Sequence, residues 1–500
     1  MAFRNVNRGS RDMNAPAIVW FRNDLRISDN PALTAAARTG APLVALYILD
    51  DESPGEWRTG AAARWWLHHS LRALSESLAG RGVTLTLRRG RAHYVFEQIV
   101  AETGADAVFW NKLYEPWAIR RDAELEAQLR DDAVKTHCFQ ESVLFEPEKL
   151  RTKLGENFRM FTPFWRACLA SPPPDRPLPA PESLHAAPLP PDSDDLDDWR
   201  LLPQNPDWAI GMRKVWLVGE TAARAELADF ARHHVGDYKV ERDFMGRVGV
   251  SRLSPHLHFG ELSPREVWHA ISEPQSIGGE AYLRELGWRE FCHHLLISNW
   301  DLPDRPLDRT FERFPYRDDE TSLDAWRNGQ TGYPLVDAAM RELWITGWMH
   351  NRARLVSASF LIKHLLIDWR KGERWFWDTL VDADLANNSA NWQWVAGCGA
   401  DAAPYFRIFN PALQGEKFDP DGAYVRRYVP ELAALDVRYI HRPWAAPEDV
   451  LRAAGVRLGV TYPHPIVDHT EARERALAAF ESMRTQPSLR ETVATKPLTS

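Results

Sequence analysis

The stretch AIVWFRNDLRISDNPAL, residues 17–33, decides how the first part of the chain folds. It opens with a short apolar run of β-branched and aromatic residues, which predicts a buried strand. Four more runs have the same character: PLVALYIL at 42–49, VTLTLRR at 83–89, DAVFWN at 106–111 and VKTHCF at 134–139. Helical patterns lie between these runs, and strands that alternate with helices predict a parallel sheet covered by helices on both faces.

The composition changes after the strands. Residues 171–207 are rich in proline and then acidic, so they cannot bury enough apolar surface to fold alone, and from about residue 210 only helical periodicity remains. Because 500 residues exceed a single hydrophobic core, we predict more than one domain. The predicted segments are a disordered leader (1–14), an α/β domain (15–140), an interdomain linker (141–210), an all-α domain (211–486) and a flexible tail (487–500).

Composition excludes several classes of protein. The 61 Lys and Arg against 69 Asp and Glu give a net charge of −8, so nucleic acid would bind a local basic patch rather than the whole surface. The four cysteines are widely spaced, which indicates neither a disulfide framework nor a zinc site and fits a reducing cytosol. No apolar run is long enough to span a membrane. We therefore expect a cytoplasmic protein with no metal site and no membrane contact.

The α/β part lacks the glycine patterns GxGxxG and GxxxxGK[ST] that cradle phosphates. A ligand would then bind at the carboxyl ends of the strands, at a switch point of the sheet. Residues 20–33 and 110–122 follow the first and fourth predicted strands and carry several Arg, Asp and Glu side chains. The plainer interpretation is a helix N-cap followed by a solvated first turn, and the alternative is a ligand-binding loop.

Polar and aromatic side chains interrupt the helical part. VSRLSP at 250–255 stands before a helix and suits either a phosphate or a simple capped turn. Glu285, Trp288 and Arg289 have the spacing i, i+3, i+4, which places them on one helical face. That face could stack a planar ligand, or it could belong to an ordinary amphipathic helix with a surface ion pair.

Residues 331–407 concentrate these features. Ten of the 22 Trp fall between residues 281 and 400, and DADLANN at 382–388 brings two carboxylates and two amides together, in a turn by its spacing. GWMHNRARL at 347–355 suits a solvated helix turn or contacts to phosphates and bases. The Trp density fits bulk packing or a series of indoles that passes an electron hole, and composition does not decide between the two.

Together these stretches resemble the photolyase/cryptochrome family. WFRNDLRISDNPAL is similar to the family's opening motif, and SRLSPHLHFGELSPRE, ELGWREF, TGYPLVDAAMRELWITGWMHNRARL, LLIDWRKGERWFWDTLVDADLANN and WQWVAGCGADAAPYFRIFNP resemble its later motifs. The resemblance covers about residues 15–485 and is greatest to bacterial cyclobutane pyrimidine dimer photolyases, in the subgroup near plant cryptochromes. It implies a Rossmann-like α/β domain and a larger all-α domain that binds FAD.

The resemblance also implies which residues hold the cofactors. Asp382 and Asp384 would face the two ends of a U-shaped FAD, and Asn388 would contact the flavin N5. The expected FAD contacts are Tyr238, Ser251, Arg252, Leu253, Ser254, Tyr282, Asp382, Ala383, Asp384 and Asn388. An antenna chromophore in the α/β domain would be methenyltetrahydrofolate, bound through Glu115, or alternatively a deazaflavin.

The remaining implied roles concern DNA and electron transfer. The expected catalytic residues are Glu285, Trp288, Asn351, Asn388 and Trp394. The expected DNA contacts are Arg242, Glu285, Trp288, Arg289, Asn351, Arg352, Arg354 and Arg407. The expected electron relay comprises Trp392, Trp369 and Tyr316, with Trp375 or Trp377 as an alternative branch. Tyr316 stands where the family usually has an outer Trp.

The implied function is light-driven repair of cyclobutane pyrimidine dimers, in which excited FADH⁻ donates an electron to a flipped-out dimer. The expected partner is damaged DNA, and the expected state is a monomer. The alternative function is a cryptochrome-like blue-light receptor that signals through a protein partner. Leu355 favours the alternative, because dimer photolyases usually carry Met there and plant-type cryptochromes carry an aliphatic residue.

Overall fold

The computed structural model describes residues 15–273, 276–402, 404–405 and 407–485. The predicted leader and tail lie outside the described residues. Contacts divide the chain into two compact units. Unit 1 comprises the residues up to Val240 together with Gly249–Ser298 and Asp378–Leu385, and unit 2 comprises Glu241–Val248, Asn299–Trp377 and the residues from Ala386 onward. These units do not follow the predicted domain limits, which stay a prediction.

Unit 1 contains a parallel sheet of five strands, as the apolar runs predicted. The strands are β1 (Ala17–Phe21), β2 (Leu43–Leu49), β3 (Leu85–Arg89), β4 (Ala107–Asn111) and β5 (Lys135–Phe139). Their order is β3-β2-β1-β4-β5. The chain therefore builds outward from β1 in one direction and then returns to pair β4 with the other side of β1. The gap between the loops after β1 and β4 is the switch point of the sheet.

Helices cover the sheet and continue after it. Those of unit 1 are α1 (Pro31–Arg38), α2 (Ala61–Ala79), α3 (Ala92–Thr103), α4 (Pro116–Asp131), α5 (Phe161–Ala170), α6 (Ile210–Val215), α7 (Glu220–His233), α9 (Ser254–His258), α10 (Pro264–Ser272) and α11 (Ile277–Ser298), while α8 (Tyr238–Glu241) crosses the unit limit. Trp20, Trp110 and Phe96 fill the core between the sheet and α3, where their rings meet edge to face. This packing explains why β1, β2 and β4 are apolar and buried. β5 lies at the edge of the sheet and is largely exposed, so the expectation that it is a buried strand was wrong.

Unit 2 is helical throughout its described residues. Its helices are α12 (Glu320–Arg327), α13 (Pro334–Thr346), α14 (Asn351–Ser359), α15 (Trp369–Thr379), α16 (Leu385–Ala396), α17 (Pro411–Phe418), α18 (Ala423–Tyr428), α19 (Glu448–Ala453) and α20 (His469–Thr485), with a π-helical turn at Phe360–His364. The last two residues of α15 and the first residue of α16 are assigned to unit 1. The α/β part followed by a helical part confirms the predicted fold class.

The predicted linker, 141–210, contains α5 and is held to the α/β part. The backbone N–H of Asp29 donates to Leu178 O at 2.9 Å, and Leu178 N–H donates back to the Asp29 carboxylate at 2.8 Å. Further along, Ala186 forms an isolated bridge with Leu43 at the start of β2. Residues 171–207 are otherwise largely without regular structure, as their composition predicted.

The loop after β1 is buried, so the expectation of a solvated helix start was wrong. Asn30 caps α1 by accepting from Leu33 N–H at 3.0 Å, which confirms the N-cap. However, Arg22, Asp24 and Arg26 are almost inaccessible. Arg22 lies 2.5 Å from the carboxylate of Asp122 in α4, because β1 and β4 are neighbours in the sheet. The charged groups of residues 20–33 and 110–122 pair with each other, which makes their burial possible.

Candidate functional site

In unit 1, the segment before α9 meets the first half of α11. The Ser251 hydroxyl lies 2.9 Å from the Tyr282 hydroxyl, and both side chains are buried. The Tyr282 ring packs edge-on against Tyr238, with centroids 5.0 Å apart. Burial raises the pKa of Tyr282 to about 12, so its hydroxyl stays neutral and able to donate. Three of the expected FAD residues thus form one cluster, in which Tyr282 contacts Ser251 through its hydroxyl and Tyr238 through its ring.

The backbone between Ser251 and α9 is bent tightly. Arg252 has a φ of 52°, in the left-handed region that non-glycine residues rarely adopt. Its guanidinium lies 4.2 Å from the centre of the Trp216 ring. Leu253 is buried and Ser254 is exposed, so the turn presents a small hydroxyl outward and anchors itself with an apolar side chain. Conformations of this kind are common where a backbone approaches a ligand.

The turn before α16 carries an ionised buried carboxylate. Asp384 lies 3.6 Å from Nε2 of His293 in α11 and 3.8 Å from Nδ1 of His258 in α9. Burial opposes its ionisation, but the two imidazoles outweigh burial and hold the pKa of Asp384 far below its usual range. Asp382 and Ala383 are buried in the same turn. The predicted turn is confirmed for Asp382 and Asp384, but Asn388 lies in α16, so its expected place in that turn was wrong. The histidines link this turn to the α9 and α11 cluster.

Glu115 lies near Asp384 and His258. It precedes α4 at the switch point, and its Oε2 is buried without a hydrogen-bond partner among the residues that the structure describes. Burial, and next the charge of Asp384, raise the pKa of Glu115. A carboxyl held in this way suits a ligand that brings its own hydrogen-bond donor. The sequence offered no reason to place Glu115 near Asp384.

The middle of α11 presents the expected lesion residues. Glu285 and Trp288 are both half-buried, one helical turn apart. Arg289 is directed differently, because its guanidinium donates to the backbone carbonyl of Ser142 at 2.7 Å and lies 3.3 Å from Glu290. Its role in binding DNA stays a prediction. The same stretch was also predicted to stack a planar ligand. That role requires only the part of the Trp288 ring that is exposed.

Unit 2 contains Asn388, whose amide is held by α15. Its Nδ2 donates to the backbone carbonyl of Glu373 at 3.0 Å, which leaves the side-chain oxygen as an acceptor. Glu373 itself is fully buried, and burial raises its pKa well above the usual value for a glutamate. Sequence reasoning missed Glu373, because a Glu in an amphipathic helix is normally solvated and nothing local distinguishes it.

Three arginines gather at the N-terminus of α14. Burial first, and then the charges of Arg352, Arg354 and Arg242, lower the pKa of His350 to about 4 against the opposing effect of Asp243. Arg352 also pairs with Asp243 at 2.8 Å. Neighbouring Asn351 is exposed. The three arginines thus lie near His350, and their role in binding DNA stays a prediction.

Arg407 and Trp394 stand in other parts of unit 2. Arg407 is exposed, and its backbone carbonyl accepts a hydrogen bond from Lys363 Nζ at 3.1 Å. Burial, and then Arg407, lower the pKa of Lys363 to about 8. Trp394 is half-buried on α16. Their expected contacts with DNA and with the lesion stay predictions.

The inner indole of the expected relay is locked between helices. Trp392 of α16 meets Phe376 edge-on at 4.9 Å, and its ring lies against Gly372, which has no side chain to obstruct it. Gly372 is one helical turn from Trp369 on α15. The place where Trp392 contacts α15 is therefore one turn away from the middle indole, Trp369. Trp392 and Trp369 are both almost inaccessible.

Tyr316 and Trp375 are the two predicted alternatives for the outer end of the electron relay. Tyr316 packs against Phe314 at 4.7 Å, and burial raises its pKa well above the usual value for a tyrosine. Trp375 instead stacks in parallel on Trp344, with centroids 6.1 Å apart, and Trp344 is 55% exposed. Trp377 follows Trp375 on α15 and is half-buried.

The described residues show neither a metal site nor a membrane span. No group of three or more His, Cys, Asp and Glu side chains among them could hold a metal ion. None of the helices in the described part of the chain is long and apolar enough to cross a membrane.

Comparisons with known proteins match these features to one family. Residues 17–182 match the family described as DNA photolyase, and residues 282–482 match the FAD binding domain of DNA photolyase. The chain is 52% identical to the deoxyribodipyrimidine photo-lyase of Agrobacterium fabrum over 94% of its own length and 98% of the relative's. It is 39% identical to cryptochrome-1 of Arabidopsis thaliana over 93% of its length and 70% of that protein.

A solved structure gives the same result. The crystal structure of a bacterial class III photolyase from Agrobacterium tumefaciens superimposes with a TM-score of 0.92 at 51% identity, covering 96% of this chain and all (100%) of that one. Residues 17–182, residues 282–482 and the fold over 96% of the chain thus all match photolyases. The chain belongs to the photolyase/cryptochrome family and carries that family's FAD-binding domain.

Proposed function

We propose that the protein is a deoxyribodipyrimidine photo-lyase, which repairs cyclobutane pyrimidine dimers in DNA under blue light. The observation that carries the proposal is the 52% identity to a deoxyribodipyrimidine photo-lyase over almost the entire chain. Glu285 and Trp288, partly exposed on one face of α11, support it, since a light sensor needs no site shaped for a dimer.

The residues of unit 1 fit the FAD that this function needs. FAD, when bound in its reduced form and excited by blue light, supplies the electron that splits the dimer. Ser251 and Tyr282 would hold FAD with two buried hydroxyls, beside the turn at Arg252. The ionised Asp384 accepts hydrogen bonds from hydroxyl or amino groups. Asn388 is the proposed contact of the flavin N5–H, and its side-chain oxygen would be the acceptor, because its nitrogen already donates to the Glu373 carbonyl.

The lesion residues would act by recognising two linked, adjacent pyrimidines of one strand that have left the base stack. A dimer leaves the base stack at lower cost than paired bases do, which gives selectivity. Trp288 and Trp394 would stack on the pyrimidines, while a carboxylic acid at Glu285 would donate a hydrogen bond to a thymine carbonyl oxygen. That hydrogen bond strengthens when the dimer takes up negative charge, so it favours splitting.

Arginine side chains would hold the DNA backbone around the lesion. Arg242, Arg352 and Arg354 cluster at α14, and Arg407 is exposed. Phosphate contacts release counterions, so affinity for DNA should fall steeply with rising salt concentration. Damaged DNA is the proposed partner, bound by a monomer in the cytoplasm.

The electron relay is proposed to run from Trp392 to Trp369. From there Tyr316 is one exit, although its hydroxyl must lose a proton when it is oxidised. The stacked pair of Trp375 and exposed Trp344 supports a second exit that needs no proton transfer from a buried phenol. Trp377 belongs to the same branch.

An antenna chromophore is proposed at Glu115. Its buried, unpaired carboxyl oxygen suits the ring N–H or amino donor of methenyltetrahydrofolate, and a deazaflavin has a comparable donor. The test is to extract the chromophores of the purified protein and identify them by absorption and mass. Glu115→Gln should lower antenna occupancy and leave FAD in place.

The proposed activity is tested by incubating the reduced protein with a dimer-containing oligonucleotide under blue light. Recovery of thymine absorbance is the expected result. Intact, reduced FAD without repair would refute the proposal and favour the second candidate, a cryptochrome-like receptor with a protein partner. That candidate is supported by the 39% identity to a plant cryptochrome and by Leu355.

A further inference from the structure

A second aromatic ring already covers one face of Trp288. Phe161, the first residue of α5, stacks on it with centroids 3.8 Å apart and ring planes 7° from parallel. Phe291 meets the indole edge-on at 5.9 Å. Phe161 is fully buried, whereas Trp288 remains partly exposed. The indole is therefore held on one face and at one edge, and a planar ligand can stack only on the opposite face.

The close approach of α5 to α11 explains this stacking. A Cβ on Gly287 would lie 2.5 Å from Cε3 of Trp165, so the Trp165 ring rests directly on the backbone of α11. Trp165 and Phe161 are one helical turn apart and nearly parallel, at 10°. Because Gly287 immediately precedes Trp288, the contact at Gly287 sets Phe161 over Trp288.

Further contacts fix both supporting rings. Trp268 of α10 meets Trp165 edge-on, with centroids 6.2 Å apart. The guanidinium of Arg284 lies 4.8 Å from the centre of the Phe161 ring, a distance at which a cation and an aromatic face attract each other. Phe161 and Trp165 thus have little freedom to move away from α11.

We propose that Phe161 is a positioning residue for lesion recognition, which holds Trp288 ready to stack on a pyrimidine of the flipped dimer. The inference rests on the proposed function, because it needs Trp288 to contact the lesion. An indole that is already ordered does not lose side-chain freedom when the lesion binds. Losing this pre-ordering is expected to weaken lesion binding about two- to tenfold.

The test is a binding comparison in the dark, where no repair occurs. Phe161→Leu should raise the Kd for a dimer-containing oligonucleotide about two- to tenfold, with little change for the undamaged oligonucleotide. Phe158→Leu is the matched control. It removes the same kind of buried ring from the segment just before α5, where Phe158 packs on Phe164 and His294. The control should leave lesion affinity near that of the parent.

A double-mutant cycle separates positioning from a general loss of structure. In a Trp288→Ala background, Phe161→Leu should have almost no further effect on the Kd, because the ring that it positions is gone. Equal weakening in both backgrounds, or the same weakening by Phe158→Leu, would overturn the inference. So would parental affinity in a well-folded Phe161→Leu protein.

Two further observations keep the outcome decisive. If Phe161→Leu loses its flavin, Phe161→Met, whose flexible thioether adapts to an irregular gap but has no flat face, enters the same cycle. If neither variant retains flavin, Phe161 is a general core residue and the inference fails. The parent's own preference for the dimer is measured first: no preference refutes the proposed function, whereas a preference without coupling between positions 161 and 288 refutes only this inference.

Discussion

Replacing Gly372 by Ala should disturb the place where the inner indole of the relay meets α15. An added Cβ would lie 2.2 Å from Cη2 of Trp392 and 2.6 Å from Cδ2 of Leu361. Carbon atoms pack best at about 3.5–4.0 Å, so the buried indole has to retreat by more than about 1 Å. Overpacking of a core costs about 1–3 kcal/mol, and a rigid ring places this site at the upper end.

Part of that cost is recovered, because Ala favours a helix over Gly by about 1 kcal/mol. The expected net loss is therefore about 1–2 kcal/mol of unfolding free energy, measured by urea unfolding followed by far-UV circular dichroism. Photoreduction of oxidised FAD, followed by its absorbance under blue light, should also slow, since Trp392 moves. Gly236→Ala is the control, because no atom lies within 4 Å of its added Cβ. Parental stability together with the parental photoreduction rate in Gly372→Ala would refute the reasoning.

Three other predictions address the lesion site, the relay and the buried acid. Glu285→Ala should lower the repair yield with FAD still bound; loss of flavin absorbance would instead assign that residue a structural role. Trp392→Phe should abolish most photoreduction of FAD, and comparing Tyr316→Phe with Trp344→Phe should show which exit carries the electron, since only the variant on the used route is slower. The raised pKa of Glu373 means that the folded protein keeps a proton that the unfolded chain loses above its ordinary pKa of 4.5. Stability should therefore fall as pH rises above that value, and Glu373→Gln should reduce this fall in urea unfolding measured at pH 5 and pH 8; identical pH dependence in both proteins would contradict it.

The local sequence determined the elements of this protein and its family. β1, β2 and β4 are apolar runs of five to seven residues, and such runs predict buried strands from the local sequence alone. The cap at Asn30 depends only on the backbone three residues away. Long motifs such as ELGWREF and DADLANN are likewise read within one segment, so the resemblance they indicate needed no coordinates.

The tertiary structure decided which polar groups are buried and which rings are positioned. Arg22 pairs with Asp122, 100 residues away, and this pairing turned an expected solvated loop into a buried one. Glu373 looks like a surface residue until the helices around it are placed. Phe161 lies in a predicted linker, and only the packing of α5 on Gly287 sets it over Trp288. Such contacts join distant segments, and no local pattern encodes them, because they depend on how helices and strands pack after they have formed.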